Sequence, residues 1–373
     1  MEKHLHIVCH DVPYPPDYGG AMDLFYKIKA LHEKGIKITL HCFEYGRGKK
    51  EALSPYCSKI FYYERFTGKK GFSLTLPYIV KSRANPLLLE NLMKDPHPVL
   101  LEGVHCSFFL EDLLRSGKKV LLRAHNIEST YYRRLAACER KLWKKLFYRY
   151  ESHLLRKYET KLPASLDIYC VSETDAEWFR QIYGPENIHH LPVFIPCQEI
   201  TGKEGTGNFC LYHGNLGIAE NERAAIWLLQ DVFTKIKIPF VVAGKNPSRR
   251  LQKLAHLCQH TCLVSDPSDK ELNELISKAH INILPSFNNT GAKLKVMMAI
   301  CKGKHCLVNE QAIAGSGMEE ACHIGTNSTA MASIVSQLYH HPYAEEEIRL
   351  REKLISNLFN NEKNAEWLIQ QIW

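Results

Sequence analysis

The segment Pro285 to Gly303, PSFNNTGAKLKVMMAICKG, constrains this chain more than any other. The apolar run before it, His280-Ile281-Asn282-Ile283-Leu284, is short and stops at a Pro-Ser turn, as a buried parallel strand does. Asn288, Asn289 and Thr290 are strong helix-capping residues, and Gly291 allows a ligand close to the backbone. Unpaired N–H groups and the positive end of a helix dipole then face whatever lies beyond the strand's carboxyl end. A diphosphate fits, so Asn289, Thr290, Gly291 and Ala292 are expected to line such a site. Leu294, Met297, Met298 and Cys301 recur at helical spacing, predicting one buried face with Lys293 and Lys295 pointing elsewhere. An ordinary α/β crossover with a polar cap reads the same way, so the context decides.

At 373 residues the chain exceeds one typical core and is expected to form two domains. Hydrophobic residues at 45% and charged residues at 24% describe a globular chain. No stretch approaches the roughly 18 consecutive apolar residues of a membrane-spanning helix, and MEKHLHIVCH runs into a strand without a leader pattern. A cytoplasmic protein is expected. The 13 cysteines are odd in number and scattered, and Cys9, Cys42, Cys170 and Cys210 sit in strand-like runs, where they read as small buried hydrophobes. His256, Cys258, His260 and Cys262 invite a zinc site but lack the paired CxxC spacing of a structural one, so no metal is expected.

A formal charge of +8 favours anionic partners. Much of it lies in residues 133–161, RRLAACERKLWKKLFYRYESHLLRKYETK, with Trp143, Phe147 and Tyr150 interleaved. Such a basic amphipathic helix either lies on an anionic membrane, here the inner face, or packs its apolar stripe on its own domain. No recognition module for nucleic acid is present.

Strands are expected at Leu5–His10, Ile36–Cys42, Val99–Glu102, Lys119–His125, Asp167–Ser172 and His189–Val193, with helical periodicity between several of them. Leu24, Ile28 and Leu31 mark the first helix. The polar, glycine-rich EITGKEGTG reads as a linker. A second alternation follows, with strands at Phe209–His213, Phe240–Ala243, Cys262–Ser265, Ile281–Leu284 and His305–Val308. The pattern predicts an α/β fold of two doubly wound domains facing a cleft: residues 1–198, a linker at 199–207, residues 208–342, and C-terminal helices at 343–373 packing back on the first domain.

The loop PYPPDYGGAMD, the segment RAHNIESTYY, and HGNLGIAENERAAIWLL, VVAGKNP and ILPSFNNTGAKLKVMMAICKGK of the second half resemble glycosyltransferase family 4. These are retaining nucleotide-sugar enzymes of the GT-B fold, two Rossmann-like domains around a cleft. The resemblance covers most of the chain and is most specific over residues 209–309. It implies that His125, at a strand's carboxyl edge, contacts the transferring sugar as the catalytic-site histidine, with Arg123, Asn126 and Glu128 on the acceptor side. Gly19 and Gly20, which end a Pro-rich loop and open a helix, are implied to let backbone approach donor phosphate or acceptor sugar, although a simple tight turn uses the same pair. Gly214 follows the first strand of the second domain, and Asn221 stands where the family often has a Pro-Asn pair. Lys245, Arg249 and Lys295 are the candidates to neutralise the departing diphosphate.

Two departures matter. Many family members carry two glutamates with seven residues between them, and here the positions hold Thr290 and Met298. A thioether at the ribose position cannot accept the hydroxyl hydrogen bonds that a carboxylate takes, and losing a charged hydrogen bond commonly costs about 1.5–3 kcal/mol. The resemblance implies transfer of a hexose-type sugar from a nucleoside diphosphate sugar to a hydroxyl of a glycan or lipid-linked acceptor. Retention is implied, in cell-surface polysaccharide synthesis and with no cofactor or metal. A catalytically silent GT-B protein and a nucleotide-sugar epimerase of the same architecture are the alternatives. A dehydrogenase is disfavoured, because no strand is followed by GxGxxG.

Overall fold

A computed structural model describes residues 2–139, 141–197, 199–288 and 293–373. The chain divides into two compact units, Met1–Pro196 with Asn360–Trp373, and Cys197–Phe359. In the first, β1 (His4–Cys9), β2 (Lys37–Glu44), β3 (Lys59–Glu64), β4 (Val99–Glu102), β5 (Val120–Ala124), β6 (Asp167–Cys170) and β7 (Ile188–His190) form one parallel sheet in the order β3-β2-β1-β4-β5-β6-β7. Helices cover both faces. Leu100 and Leu121 enter one buried cluster, and their neighbours Leu101 and Leu122 enter the other, which is why these strands read as unbroken apolar runs. Strand order reverses between β1 and β4, the kind of switch point where α/β sheets take ligands beyond their carboxyl ends.

The second unit repeats the plan. Here β8 (Cys210–His213), β9 (Phe240–Gly244), β10 (Thr261–Ser265), β11 (Ile281–Ile283), β12 (His305–Val308) and β13 (His323–Ile324) lie parallel in the order β10-β9-β8-β11-β12-β13. The switch point falls between β8 and β11. Each unit is thus a Rossmann-like, doubly wound parallel sheet.

Three expectations change. Residues 199–207 are built into the second unit rather than linking to it: Thr201 N donates to Cys301 O at 2.8 Å, and Gly205 and Tyr343 pair by their backbones. Their glycines serve close approach, since a Cβ on Gly202 would meet Gly303 O at 2.5 Å and one on Gly207 would meet Lys278 O at 2.5 Å. The C-terminal helices also part company. Glu345–Leu358 stays with the second unit, where buried Arg351 donates to Ile300 O and Gly303 O at 3.1 Å each. Only Asn361–Ile372 joins the first, burying Ala365, Leu368 and Ile372 beside Leu24, Ile28 and Leu31 of the first helix, Gly19–Glu33. Finally, the helix Leu294–Lys302 is buried on several sides, including Val296, Ala299 and Ile300, whereas Met298 is half-buried. It packs against the Asp269–Lys278 helix as well as the sheet, so a single apolar stripe underestimates its burial.

Candidate functional site

In the first unit, the carboxyl ends of β1, β4 and β5 carry a buried ionic network. Asp23 and Lys27 stand one turn apart on the first helix and pair at 3.0 Å. Lys27 reaches Glu102 at 2.8 Å, and the Arg123 guanidinium meets Asp23 at 3.2 Å. His125 Nε2 lies 2.9 Å from Glu102 and its Nδ1 lies 3.8 Å from Asp23. Burial alone would raise both carboxyls, but Arg123 and Lys27 hold Asp23 well below its ordinary range, and Lys27 and His125 hold Glu102 down. Two carboxylates thus offset two cations around the histidine. His10 follows β1 and stacks on His105 with ring centroids 5.0 Å apart, its edge toward His125 at 6.0 Å. Burial drops His10 to about 3 and His105 well below its ordinary value, so both rings are neutral at pH 7.

This geometry sorts the sequence-derived residues of the unit. Arg123 is wholly buried and spends its guanidinium on Asp23, Leu191 O and Pro192 O, so it braces the strand ends from inside instead of touching an acceptor. His125 stands at the strand end as expected, with its nitrogens turned toward Glu102 and Asp23. Glu128 is also buried, pushed up to about 8 by burial and by Glu159, and Asn126 Nδ2 approaches it at 3.4 Å. Gly19 and Gly20 open the first helix, whose N-cap Tyr18 makes no side-chain capping bond and whose first turn holds no acid. A Cβ on Gly20 would lie 3.1 Å from the Tyr18 ring and 3.5 Å from His10, so the glycine keeps the backbone close to the histidine group.

In the second unit the candidate group gathers around Lys295, half-buried at the start of the Leu294–Lys302 helix. Its Nζ donates to Tyr212 Oη at 3.2 Å and to Asn221 Oδ1 at 3.1 Å, and lies over the Tyr212 ring at 4.8 Å. These partners are neutral. Burial lowers Lys295 to about 8, against the opposing pull of Glu220. Beside it, burial lowers His213 at the end of β8 to about 3, and its buried Nε2 has no hydrogen-bond partner among the described residues. Ser286 Oγ, beyond β11, is 3.0 Å from Glu220 Oε1, and Asn309 clasps the Ser286 backbone at 2.8 and 2.7 Å.

The remaining expectations divide. Asn289, Thr290, Gly291 and Ala292 lie outside the described residues. Gly244 is a packing glycine, because a Cβ there would sit 1.8 Å from Gly214 O, whereas a Cβ on Gly214 would make only ordinary contact with Asn221 at 3.5 Å. Lys245 is half-buried in the following turn, where its carbonyl accepts from Leu216 N at 2.8 Å. Arg249 is exposed at the start of the helix Arg249–Leu257. Of the three cations proposed for the diphosphate, Lys295 is the one bonded to Tyr212 at the carboxyl end of β8. His256, Cys258, His260 and Cys262 do not gather into a ligand cluster among the described residues. Asp23, Lys27, Glu102, His10 and His105 escaped the sequence reading. Two signals were available: an acid closing the apolar run VLLE and an Asp-Lys pair on an otherwise apolar helix face.

The basic segment 133–161 is two helices, Glu128–Cys138 and Leu142–Glu159, packed on each other. The second turns Leu142, Trp143 and Leu146 outward at 70, 66 and 56% exposure. Tyr150 Oη donates to Leu74 O at 2.8 Å, which brings a second exposed segment, Phe72 and Leu74, alongside.

Residues 207–341 match the family model described as glycosyl transferases group 1. An uncharacterized 44.6 kDa protein in the cps region of Klebsiella pneumoniae is 28% identical over 312 residues, 79% of each chain. Among solved structures, sucrose-phosphate synthase from Thermosynechococcus elongatus superposes with a TM-score of 0.72 at 13% identity, over 99% of this chain and 98% of that one. TarM gives 0.72 at 10% identity, over 100% and 99%. A trehalose-6-phosphate protein from E. coli bound with UDP-2-fluoro glucose gives 0.64 at 12%, over 99% and 98%.

Proposed function

We propose that this GT-B chain, whose second unit matches the glycosyl transferases group 1 model, moves a hexose-type sugar from a nucleoside diphosphate sugar to a hydroxyl of a glycan or lipid-linked acceptor. Lys295 carries the proposal. A half-buried ammonium bonded to neutral oxygens, at the start of a helix and beyond the strand switch point, favours an incoming anion. With the helix start it supplies the positive charge for a departing diphosphate, so the transfer needs no metal. The departing phosphate can take the acceptor's proton, and attack on the face it leaves retains the anomeric configuration. A cell-surface polysaccharide setting is supported by the cps-region relative.

Met298 is half-buried on the same helix, at the position the resemblance assigns to the ribose, and offers no carboxylate. Glu220, bonded to Ser286 Oγ and acting on Lys295, is the substitute acceptor for ribose hydroxyls under this proposal. The test is an assay of sugar transfer from UDP-, GDP-, ADP- and dTDP-sugars to lipid-linked glycan. Transfer with one donor class supports the proposal. Conversion of the sugar nucleotide without acceptor favours an epimerase, and failure to bind any nucleotide favours a silent protein.

No helix among the described residues is long and apolar enough to cross a membrane. The lipid-linked acceptor instead calls for a surface contact, and the outward face of the Leu142–Glu159 helix suits an anionic bilayer. Leu142, Trp143, Leu146 and Tyr150 span an arc of about 100° at 3.6 residues per turn, with Lys145 and Arg149 directly beside it. Flotation with anionic vesicles should retain the wild-type chain and release Trp143→Glu/Leu146→Glu. Equal retention of both would remove the membrane from the proposal.

A further inference from the structure

At the edge of the second unit's sheet stands a group of side chains that the proposed transfer does not use. Strand alternation puts His305 on the same face of β12 as Leu307, and His323, the register partner of Leu307, projects from β13 on that face. The helix Glu345–Leu358 brings Glu347 to both. Its Oε1 lies 3.2 Å from His305 Nδ1 and 3.7 Å from His323 Nε2, and the three ligand-type atoms all lie within 4.8 Å of one another. Its Oε2 accepts from Ala344 N at 3.3 Å.

The hydrogen bonds limit what the group can be. His305 Nε2 is 3.1 Å from His341 O, and a carbonyl only accepts, so Nε2 carries its hydrogen. Nδ1 then faces the carboxylate oxygen either with a second proton or with a lone pair. A lone pair against a carboxylate oxygen is repulsive unless a cation lies between them.

We propose that His305, His323 and Glu347 bind a divalent ion of the zinc type, which pins the Glu345–Leu358 helix to the edge strands of the second unit. Two imidazoles and one carboxylate suit zinc better than calcium or magnesium, which prefer shells of oxygen. Tetrahedral bonds of about 2.0–2.1 Å set ligand atoms about 3.3–3.4 Å apart. The observed separations of 3.2 and 3.7 Å bracket that spacing. His341 O is the outer partner that fixes the His305 tautomer, and the edge-on rings of His280 and Tyr343, with centroids 5.1 and 5.5 Å away, hold the imidazole in place. The His305 side chain is 3% exposed, whereas those of His323 and Glu347 are 36 and 32% exposed, so the ion reaches the group from solvent and keeps a water-facing position. The ligands come from two strands and a helix, and so have no local spacing to read.

The test uses the full chain, stripped with chelator and titrated with zinc chloride against a chromophoric competitor, with thermal unfolding in parallel. Saturable binding of one equivalent and a raised Tm are expected. His323→Ala and Glu347→Gln, both partly exposed positions that should fold, are each expected to weaken binding at least tenfold and to abolish the rise in Tm. Absence of saturable binding overturns the proposal, and so does binding and stabilisation that persist in both variants, which would assign the ion to other ligands such as the cysteines.

Discussion

The two units place charged groups at the carboxyl ends of similar parallel sheets and balance them in opposite ways. In the first, Asp23 and Glu102 meet Lys27 and Arg123, and the pairs close on one another inside the protein. In the second, Lys295 bonds Tyr212 and Asn221, both neutral. A closed network of buried charges holds a shape, because each ion's desolvation is offset by a partner already present. A half-buried cation with neutral hydrogen-bond partners is held at a cost that an anionic ligand offsets. Under the proposed function, this difference assigns the first network to scaffold and Lys295 to the ligand, where position alone does not.

The largest effect should come from breaking the closed network. Glu102→Ala leaves Lys27 short of one carboxylate in a fully buried position, and loss of one member of a buried pair costs about 3–5 kcal/mol. Denaturant unfolding measures it, and a loss below about 1 kcal/mol would mean that the first unit's charges are not closed in the sense described.

Most of the fold was legible because parallel strands with helices on both faces are continuous apolar runs, and eleven of the strands were expected within a few residues. The missing two explain themselves. β3, KIFYYE, is an edge strand with charged ends and half-buried positions, and β13 has only two residues. The site was harder to read. Lys27 and Glu102 look like solvated charges in sequence and Arg123 like an acceptor contact, since the burial of all three depends on partners from distant parts of the chain. Lys295 was visible as a candidate, but its partners Tyr212 and Asn221 come from β8 and the helix Ala219–Trp227, far from it in sequence. Glycines misled in the opposite direction: EITGKEGTG is glycine-rich because backbones touch there, not because the chain swings.

Met298→Glu sharpens the ligand-site half of the contrast. Restoring a carboxylate at the ribose position should tighten nucleotide binding by about 1.5–3 kcal/mol if the ribose lies there. Unchanged affinity in a calorimetric titration would move the ribose toward Glu220.

A smaller effect follows from pH. Lys295 is lowered to about 8, so its cation is present below that pH and lost as pH rises through it. Nucleoside diphosphate affinity should fall about tenfold between pH 7 and pH 9, where a group with that pKa passes from about nine-tenths to one-tenth protonated. A flat profile would assign the diphosphate to other cations.

The most direct test is calorimetric titration of the wild type and Lys295→Met with UDP, GDP, ADP and dTDP, with thermal unfolding of both as a control. Lys295 predicts binding of one nucleoside diphosphate that the variant loses by about 10- to 100-fold, the worth of a charge-assisted hydrogen bond, while the variant unfolds at the same temperature or higher. Undiminished binding in a folded variant would contradict the assignment of Lys295 as the anion site.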